Sequence, residues 1–206
     1  MIVLGLTGSI AMGKSEAGRM LRRFGVPVFD SDAVVHRLLA SGEETAQKVA
    51  QAFPGAVRDG VPDRARLGAV VFDDTAARRR LEAILHPAVL AAQRRFLEEA
   101  ERRGARIAAL DIPLLFETGG EKKVDYVAVV SAPYDIQRAR ALARPGMTPE
   151  RFAAVLAAQM PDAEKRRRAD YVLPTGGDKR TLLRAIARML RDLSERPGRV
   201  WPWPED

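Results

Sequence analysis

Residues Gly8-Ser9-Ile10-Ala11-Met12-Gly13-Lys14-Ser15 satisfy the pattern G-x-x-x-x-G-K-[ST] at every fixed position. An apolar run, Ile2–Leu6, precedes them and reads as a short buried strand. Lys14–Phe24 follows, with Ala17, Met20, Leu21 and Phe24 at helical spacing and Gly25 placed to close the helix. A strand that turns directly into a helix is the setting in which this pattern wraps a phosphate. The backbone N–H groups of such a loop point inward, and the helix adds its free N–H groups and positive end. Gly8 and Gly13 are expected to take backbone angles that a side chain forbids. Lys14 reaches the β- and γ-phosphates, and the Ser15 hydroxyl ligates a magnesium ion that bridges them. Gly8, Ser9, Ile10, Ala11, Met12, Gly13, Lys14, Ser15 and Glu16 are therefore the candidate ATP-binding residues. The motif fixes a nucleoside triphosphate as ligand. It leaves open what accepts the phosphoryl group, or whether any is transferred.

The rest of the chain alternates short apolar runs with helical stretches. Strands are expected at Val26–Phe29, Ile107–Leu110, Tyr126–Val130 and Tyr171–Leu173. Helices are expected at Ala33–Leu39, Glu44–Phe53, Ile136–Ala143 and Thr181–Leu193, and one more opens at Thr148-Pro149-Glu150, with Thr148 as N-cap and Pro149 at the first helical position. Pro54-Gly55 and Asp59-Gly60 mark a turn region, either a hairpin or a loop. From Asp63 to Arg103 the pattern is helical throughout, with a break and a fresh start at His86-Pro87. Short strands alternating with helices predict an α/β fold with a mostly parallel sheet. The strandless stretch is then a helical insertion. The tail from Arg196 to Asp206, with its prolines and two tryptophans, is expected to be extended, with Trp201 or Trp203 packed on the body.

Composition narrows the function further. The 206 residues carry no cysteine, which removes disulfides, thiol chemistry and cysteine-based zinc sites. No apolar run approaches the roughly 20 residues of a membrane span, and the N-terminus does not read as a signal peptide. The net charge of +7 comes from an arginine-rich composition, with 28 arginines against six lysines. It allows either a compositional bias or an anionic partner.

In an open α/β sheet, ligands bind beyond the carboxyl ends of the strands. Asp30 and Asp32 follow the second strand, on the edge expected to hold the phosphate loop. A carboxylate there can take the proton of an attacking hydroxyl. Asp32 is the favoured base, since Asp30 and Ser31 compete to cap the next helix. Asp111 ends the third strand and is read either as a magnesium ligand through water or as a cap for the loop at Pro113. Ile112 to Glu117 reads as exposed apolar lining of an acceptor pocket, with Glu117 on a hydroxyl, or as simple loop packing.

Arg138, Arg140 and Arg144 precede Pro145-Gly146, a natural break. A lid that closes over a phosphoryl group must carry cations, and Arg140 and Arg144 are the candidates. Lys165-Arg166-Arg167-Arg168 reads as a solvated helix face. His36 and His86 do not form a metal site by spacing, and the residues alone favour His86 as a polar cap beside Pro87.

These segments together resemble the dephospho-CoA kinase family. The resemblance runs from residue 1 to about 195. It is carried by Gly5-Leu6-Thr7-Gly8-Ser9-Ile10 with Gly13-Lys14-Ser15, by Val28-Phe29-Asp30-Ser31-Asp32, and by Leu85-His86-Pro87. Pro113-Leu114-Leu115-Phe116-Glu117, the lid arginines, Ala158-Gln159 and Ala169-Asp170-Tyr171-Val172 complete it.

The resemblance implies a P-loop kinase fold, with a five-stranded parallel sheet flanked by helices, a helical acceptor-binding insertion and a lid. The core would comprise about 1–58, 104–135 and 169–195, the acceptor part about 59–103, and the lid about 136–168. It implies transfer of the ATP γ-phosphoryl group, with magnesium, to the ribose 3′-hydroxyl of dephospho-CoA by a cytoplasmic monomer that needs no nucleic acid or membrane. Asp32 matches the catalytic carboxylate, Thr7 a residue near the phosphates, and Arg140 the lid arginine. With Asp32, Thr7, His86, Leu115 and Glu117 are the expected acceptor contacts.

Three positions depart from the family pattern: Ser9 where glycine is usual, Met12 where a small residue is usual, and Pro174-Thr175-Gly176 where an asparagine near the adenine is common. A nucleotide kinase, a nucleotide-dependent switch and a nucleic-acid-binding module are the rival readings. The switch should carry a guanine-reading N-K-x-D, and the chain has none.

Overall fold

Ile2–Thr7 forms β1, buried along its whole length, as expected of a strand with no polar face. In the computed structural model, which describes residues 1–40 and 42–204 apart from the side chains of Phe72 and Asp73, β1 is the centre of a five-stranded sheet. The other strands are β2 (Val28–Asp30), β5 (Ile107–Asp111), β6 (Tyr126–Ser131) and β7 (Tyr171–Pro174), in the order β2-β5-β1-β6-β7. Parallel register pairs Leu4 with Ala109 on one side and with Tyr126 on the other, and Val129 with Val172 at the far edge. β1 thus sits where the strand order reverses, the place at which α/β sheets open a crevice beyond their carboxyl ends.

Two compact units can be distinguished, Met1–Phe29 with Leu97–Asp206, and Asp30–Phe96. In the first, α1 (Lys14–Arg23) and α9 (Lys179–Ser194) cover the sheet. α9 buries Leu182, Ile186, Met189 and Leu193, one stripe at helical spacing, into the core with Leu4, Leu6, Met20 and Leu21. Between β6 and β7 lie α6 (Tyr134–Leu142), α7 (Pro149–Ala157) and α8 (Asp162–Arg168). Thr148 caps α7 by accepting from Arg151 N at 3.2 Å, with Pro149 in the first turn, as the sequence predicts.

Aspartates start two strands. Asp125 accepts from Val3 N at 2.7 Å, and Asp170 from Val127 N at 2.7 Å. Asp125 also receives Val200 N at 2.9 Å, which straps the tail down. Both tryptophans are buried there. Trp201 donates to Glu101 Oε2 at 2.9 Å and Trp203 to the Lys123 carbonyl at 3.0 Å. The final two residues of the tail lie outside the described residues.

The second unit holds α2 (Ser31–Leu38), α3 (Glu44–Ala52), a single 3₁₀ turn at Pro54–Ala56, and α4 (Arg64–Asp73). Its own small core joins Leu39, Val49, Phe53, Ala56 and Leu67. The turn at Asp59-Gly60 is a two-residue hairpin between β3 (Val57–Arg58) and β4 (Val61–Pro62). Both turn residues have positive φ, 51° and 78°, which is what a turn matching the twist of a hairpin requires.

The expected break at His86-Pro87 is absent. α5 runs without interruption over Thr75–Arg102 with Pro87 inside it. The interruption falls at Asp74, whose carboxylate accepts from Ala76 N and Ala77 N at 2.8 and 3.0 Å and so restarts the helix. Pro87 costs α5 one donor, to the Ala83 carbonyl, and the long helix on both sides absorbs that loss. His86 is accordingly an exposed mid-helix residue and caps nothing.

Candidate active site

β1 ends at Thr7 and α1 begins at Lys14, so the intervening residues must reverse direction at the carboxyl edge of the sheet. Gly13 has φ +88°, in the left-handed region where glycine alone is unstrained. Gly8 is required for a different reason from the one expected. Its angle is ordinary, but a Cβ there would strike the Val130 side chain and lie 2.8 Å from the Val130 carbonyl oxygen. The loop needs glycine at position 8 for space and at position 13 for conformation. Ala11 is also left-handed, at φ 59°, and pays for its side chain in strain.

Neighbouring side chains tie the loop down. The Thr175 hydroxyl lies 2.6 Å from the Met12 carbonyl and 3.0 Å from that of Ser131, and it can donate to one at a time. The Met12 sulfur accepts from Ala132 N, and Met12 is buried. The larger residue at position 12 is thus taken up by the core side of the loop. Ile10 is held at its N–H by Gln159 Oε1, at 3.0 Å, and at its carbonyl by Gln137 Nε2, at 2.8 Å. Sequence reasoning assigned no role to Gln137 or Thr175. An uncharged amide and hydroxyl carry no pattern by which to be found.

Lys14 Nζ is paired with Asp111 Oδ1, and Asp111 Oδ2 lies beside Gly18 of α1. Asp111 is 4% exposed, so this carboxylate is a fixed wall of the phosphate site. Ser15 is exposed at the start of α1. A hard oxygen set of one hydroxyl and one carboxylate suits magnesium, which keeps several waters and takes most of its remaining ligands from substrate phosphates. No cluster of three or more histidine, cysteine or acidic residues able to hold a metal exists among the described residues.

Beside the loop lies a cleft of about 400 Å³ lined by Gly13, Glu16, Arg140, Thr175, Gly177 and Lys179. Arg140 Nη2 donates to the Thr175 carbonyl at 2.7 Å, so its guanidinium is already at the cleft wall. Arg144 is exposed past the end of α6.

A scan against family descriptions matches dephospho-CoA kinase over residues 2–180. The chain belongs to the dephospho-CoA kinase family. A relative from Paramagnetospirillum magneticum, named dephospho-CoA kinase, is 62% identical over 81% of this chain and 78% of its own. One of the same name from Brucella melitensis is 52% identical over 96% and 98%. The crystal structure of TT1252 from Thermus thermophilus superposes with a TM-score of 0.80 at 39% identity, covering 93% of this chain and 97% of that one.

Members of this family are P-loop kinases, and the remaining family segments are placed as follows. Thr7 is fully buried and donates to the Pro113 carbonyl at 3.0 Å, joining the end of β1 to the loop after β5. In that loop Leu114 is 38% exposed, but Leu115 is wholly buried behind Gly5, so the expected exposure of Leu115 is corrected. In the second unit, Asp30 caps α2 by accepting from Ala33 N at 3.0 Å, and Asp32 stands exposed in the first turn.

The basic run 165–168 is only partly solvated. Lys165 is 0% exposed, and its Nζ lies 2.8 Å from Glu117 Oε1, which also accepts from Met160 N at 2.9 Å. Asp162, Lys165 and Arg168 share one face of α8 and reach Ser131, Glu117 and Glu121 respectively. Burial pushes the Glu117 carboxyl up, but the Lys165 ammonium and the Met160 N–H outweigh it and hold it below the ordinary range. A carboxyl so depressed contributes stability above its unfolded pKa and loses it as pH falls through the folded value. Glu117→Gln should cost about 1 kcal/mol at pH 7, because the amide oxygen can still accept from Lys165 and Met160 but the buried ammonium loses its counter-charge at a site partly open to water. The deficit relative to wild type should shrink as pH falls below the unfolded carboxyl's range and on through the depressed folded value, where wild-type Glu117 also loses its charge. Thermal denaturation of both proteins across that range checks this. A deficit that does not change with pH contradicts it.

Proposed function

We propose that the chain transfers the γ-phosphoryl group of ATP to the ribose 3′-hydroxyl of dephospho-CoA, giving coenzyme A and ADP. The observation that carries this reading is the phosphate loop closed on one side by Lys14–Asp111 and opening on the other into the Arg140 cleft. The loop N–H groups and Lys14 hold the β- and γ-phosphates, and the nucleoside occupies the cleft beside Gly13, Thr175 and Gly177. Pro174-Thr175-Gly176 stands where an asparagine is common in the family, and here the Thr175 carbonyl meets Arg140 at the cleft.

In the transfer, the 3′-oxygen forms a bond to the γ-phosphorus as the bond from phosphorus to the β–γ bridging oxygen breaks. The hydroxyl proton passes to the Asp32 carboxylate, and ADP leaves. Arg140, held at the Thr175 carbonyl through Nη2 and joined by Arg144, turns its other N–H groups to the equatorial phosphoryl oxygens, where charge develops. Ser15 and Asp111 would hold magnesium, which neutralises phosphate charge when bound. His86, an exposed residue of α5, is proposed as an acceptor contact. Thr7 and Glu117 act by shaping the 113–117 loop, with Leu115 supporting it from behind. We place the protein in the cytoplasm as a monomer. Among the described residues no helix is long and apolar enough to cross a membrane.

An ATP-consumption assay with dephospho-CoA, AMP, CMP and shikimate tests this reading. Dephospho-CoA should be turned over with kcat/KM at least 10²-fold above the others, the order a site built around a specific polar acceptor reaches. Preference for AMP or CMP would assign the chain to nucleotide kinases.

A further inference from the structure

We propose that Gln137 and Gln159 are positioning residues: they clamp Ile10 of the phosphate loop and thereby fix where Arg140 stands. The proposal rests on the ATP reading of this loop. Ile10 is gripped on both sides, its N–H by Gln159 just past α7 and its carbonyl by Gln137 of α6, both far away in sequence. Gln137 is 3% exposed, and a buried amide is tolerated only where its hydrogen bonds are made. An apolar side chain would fill the same space. What the amide adds is direction.

That direction is needed locally. Ala11, the next residue, holds a left-handed conformation that an alanine leaves if released. It is pinned on one side at Ile10 by the two glutamines and on the other at Met12 by the Thr175 hydroxyl. Between the pins the loop has no freedom to relax, so its N–H groups keep the inward orientation that an anion requires.

The same contacts close a ring that includes the lid. Gln137 and Arg140 are three residues apart on α6 and so share a face. Arg140 reaches the Thr175 carbonyl, and the hydroxyl of that same Thr175 holds Met12. The circuit runs from Ile10 through Gln137, α6, Arg140 and Thr175 back to Met12. Cutting it at Gln137 frees the phosphate loop and the arginine together.

The test is a double-mutant cycle. Gln137→Met keeps the length and removes the donor, and Arg140→Ala removes the lid cation. Turnover and KM are measured for both singles and the double. Arg140→Ala alone should lower kcat by about 10²-fold, as loss of one charge-stabilising donor does. Gln137→Met alone should lower kcat by roughly 10- to 10²-fold, the effect of a small misplacement. In the Arg140→Ala background, Gln137→Met should cost less than about threefold, because residues that act as a unit are not additive. KM for ATP should rise in Gln137→Met, with KM for dephospho-CoA unchanged.

Where Arg140→Ala shows its loss, an unchanged kcat in Gln137→Met, or the same loss with and without Arg140, overturns the proposal. If Arg140→Ala itself leaves kcat unchanged, the lid-arginine assignment fails. The clamp then stands if Gln137→Met raises KM for ATP alone and falls if it does not. Should Gln137→Met fail to fold, Gln159→Met cuts the other hold on Ile10 from a less buried position, and the same losses and coupling decide.

Discussion

Asp32→Asn is expected to lower kcat by roughly 10²- to 10⁴-fold, the range for loss of a general base. Asparagine keeps the size and most of the hydrogen bonding of aspartate, so the loss isolates the proton acceptor. Asp32 is exposed in the first turn of α2 and caps nothing, so the substitution should leave Tm within about one degree. ATP binding by calorimetry should not change, because the phosphate loop is untouched. Asp30 is the internal control. Its carboxylate caps α2 at Ala33 N, a role asparagine fills almost as well. Asp30→Asn should therefore keep kcat within a few-fold. Equal small effects from both would remove Asp32 as base. Equal large effects would mean that the two carboxylates act as a unit.

Lys14→Ala should remove most turnover, on the order of 10²-fold or more, since it deletes a charge that acts directly on the transferring group. The structure adds a consequence that a bare surface lysine would lack. Lys14 is paired with Asp111, which is 4% exposed, so alanine removes a cation that offsets the charge of a buried carboxylate. The variant should accordingly lose stability as well as activity. Lys14→Ala/Asp111→Asn should recover stability and not turnover. Recovery of kcat in the double variant, read by steady-state kinetics, would show that Lys14 serves the fold more than the phosphates.

Much of this was readable in the chain. The buried strands announced themselves as apolar runs, and the phosphate loop by fixed glycines between a strand and a helix. Thr148-Pro149 marked the start of α7 as cap chemistry demands. Asp59-Gly60 gave a turn signal, and the left-handed angles of both residues explain why it closes a hairpin.

Part of what was hidden turned on which face of a helix points inward. Lys165 sits among four successive basic residues, and nothing in that run says which one turns inward. Its partner, Glu117, lies 48 positions earlier. Gln137 and Thr175 act through hydrogen bonds to backbone, which any polar residue can make. Pro87 is a strong breaker by itself, but α5 is long enough to carry it, and the shorter signal at Asp74 set the boundary.

The position that becomes phosphorylated decides whether the chain acts on the ribose 3′-hydroxyl. The protein is incubated with ATP and dephospho-CoA, and the product is examined by phosphorus–proton correlation NMR. One new phosphomonoester resonance is expected, coupled to the ribose H3′ proton and growing in step with ADP. Coupling to H2′, or ADP accumulating with free phosphate and no new ester, would contradict it.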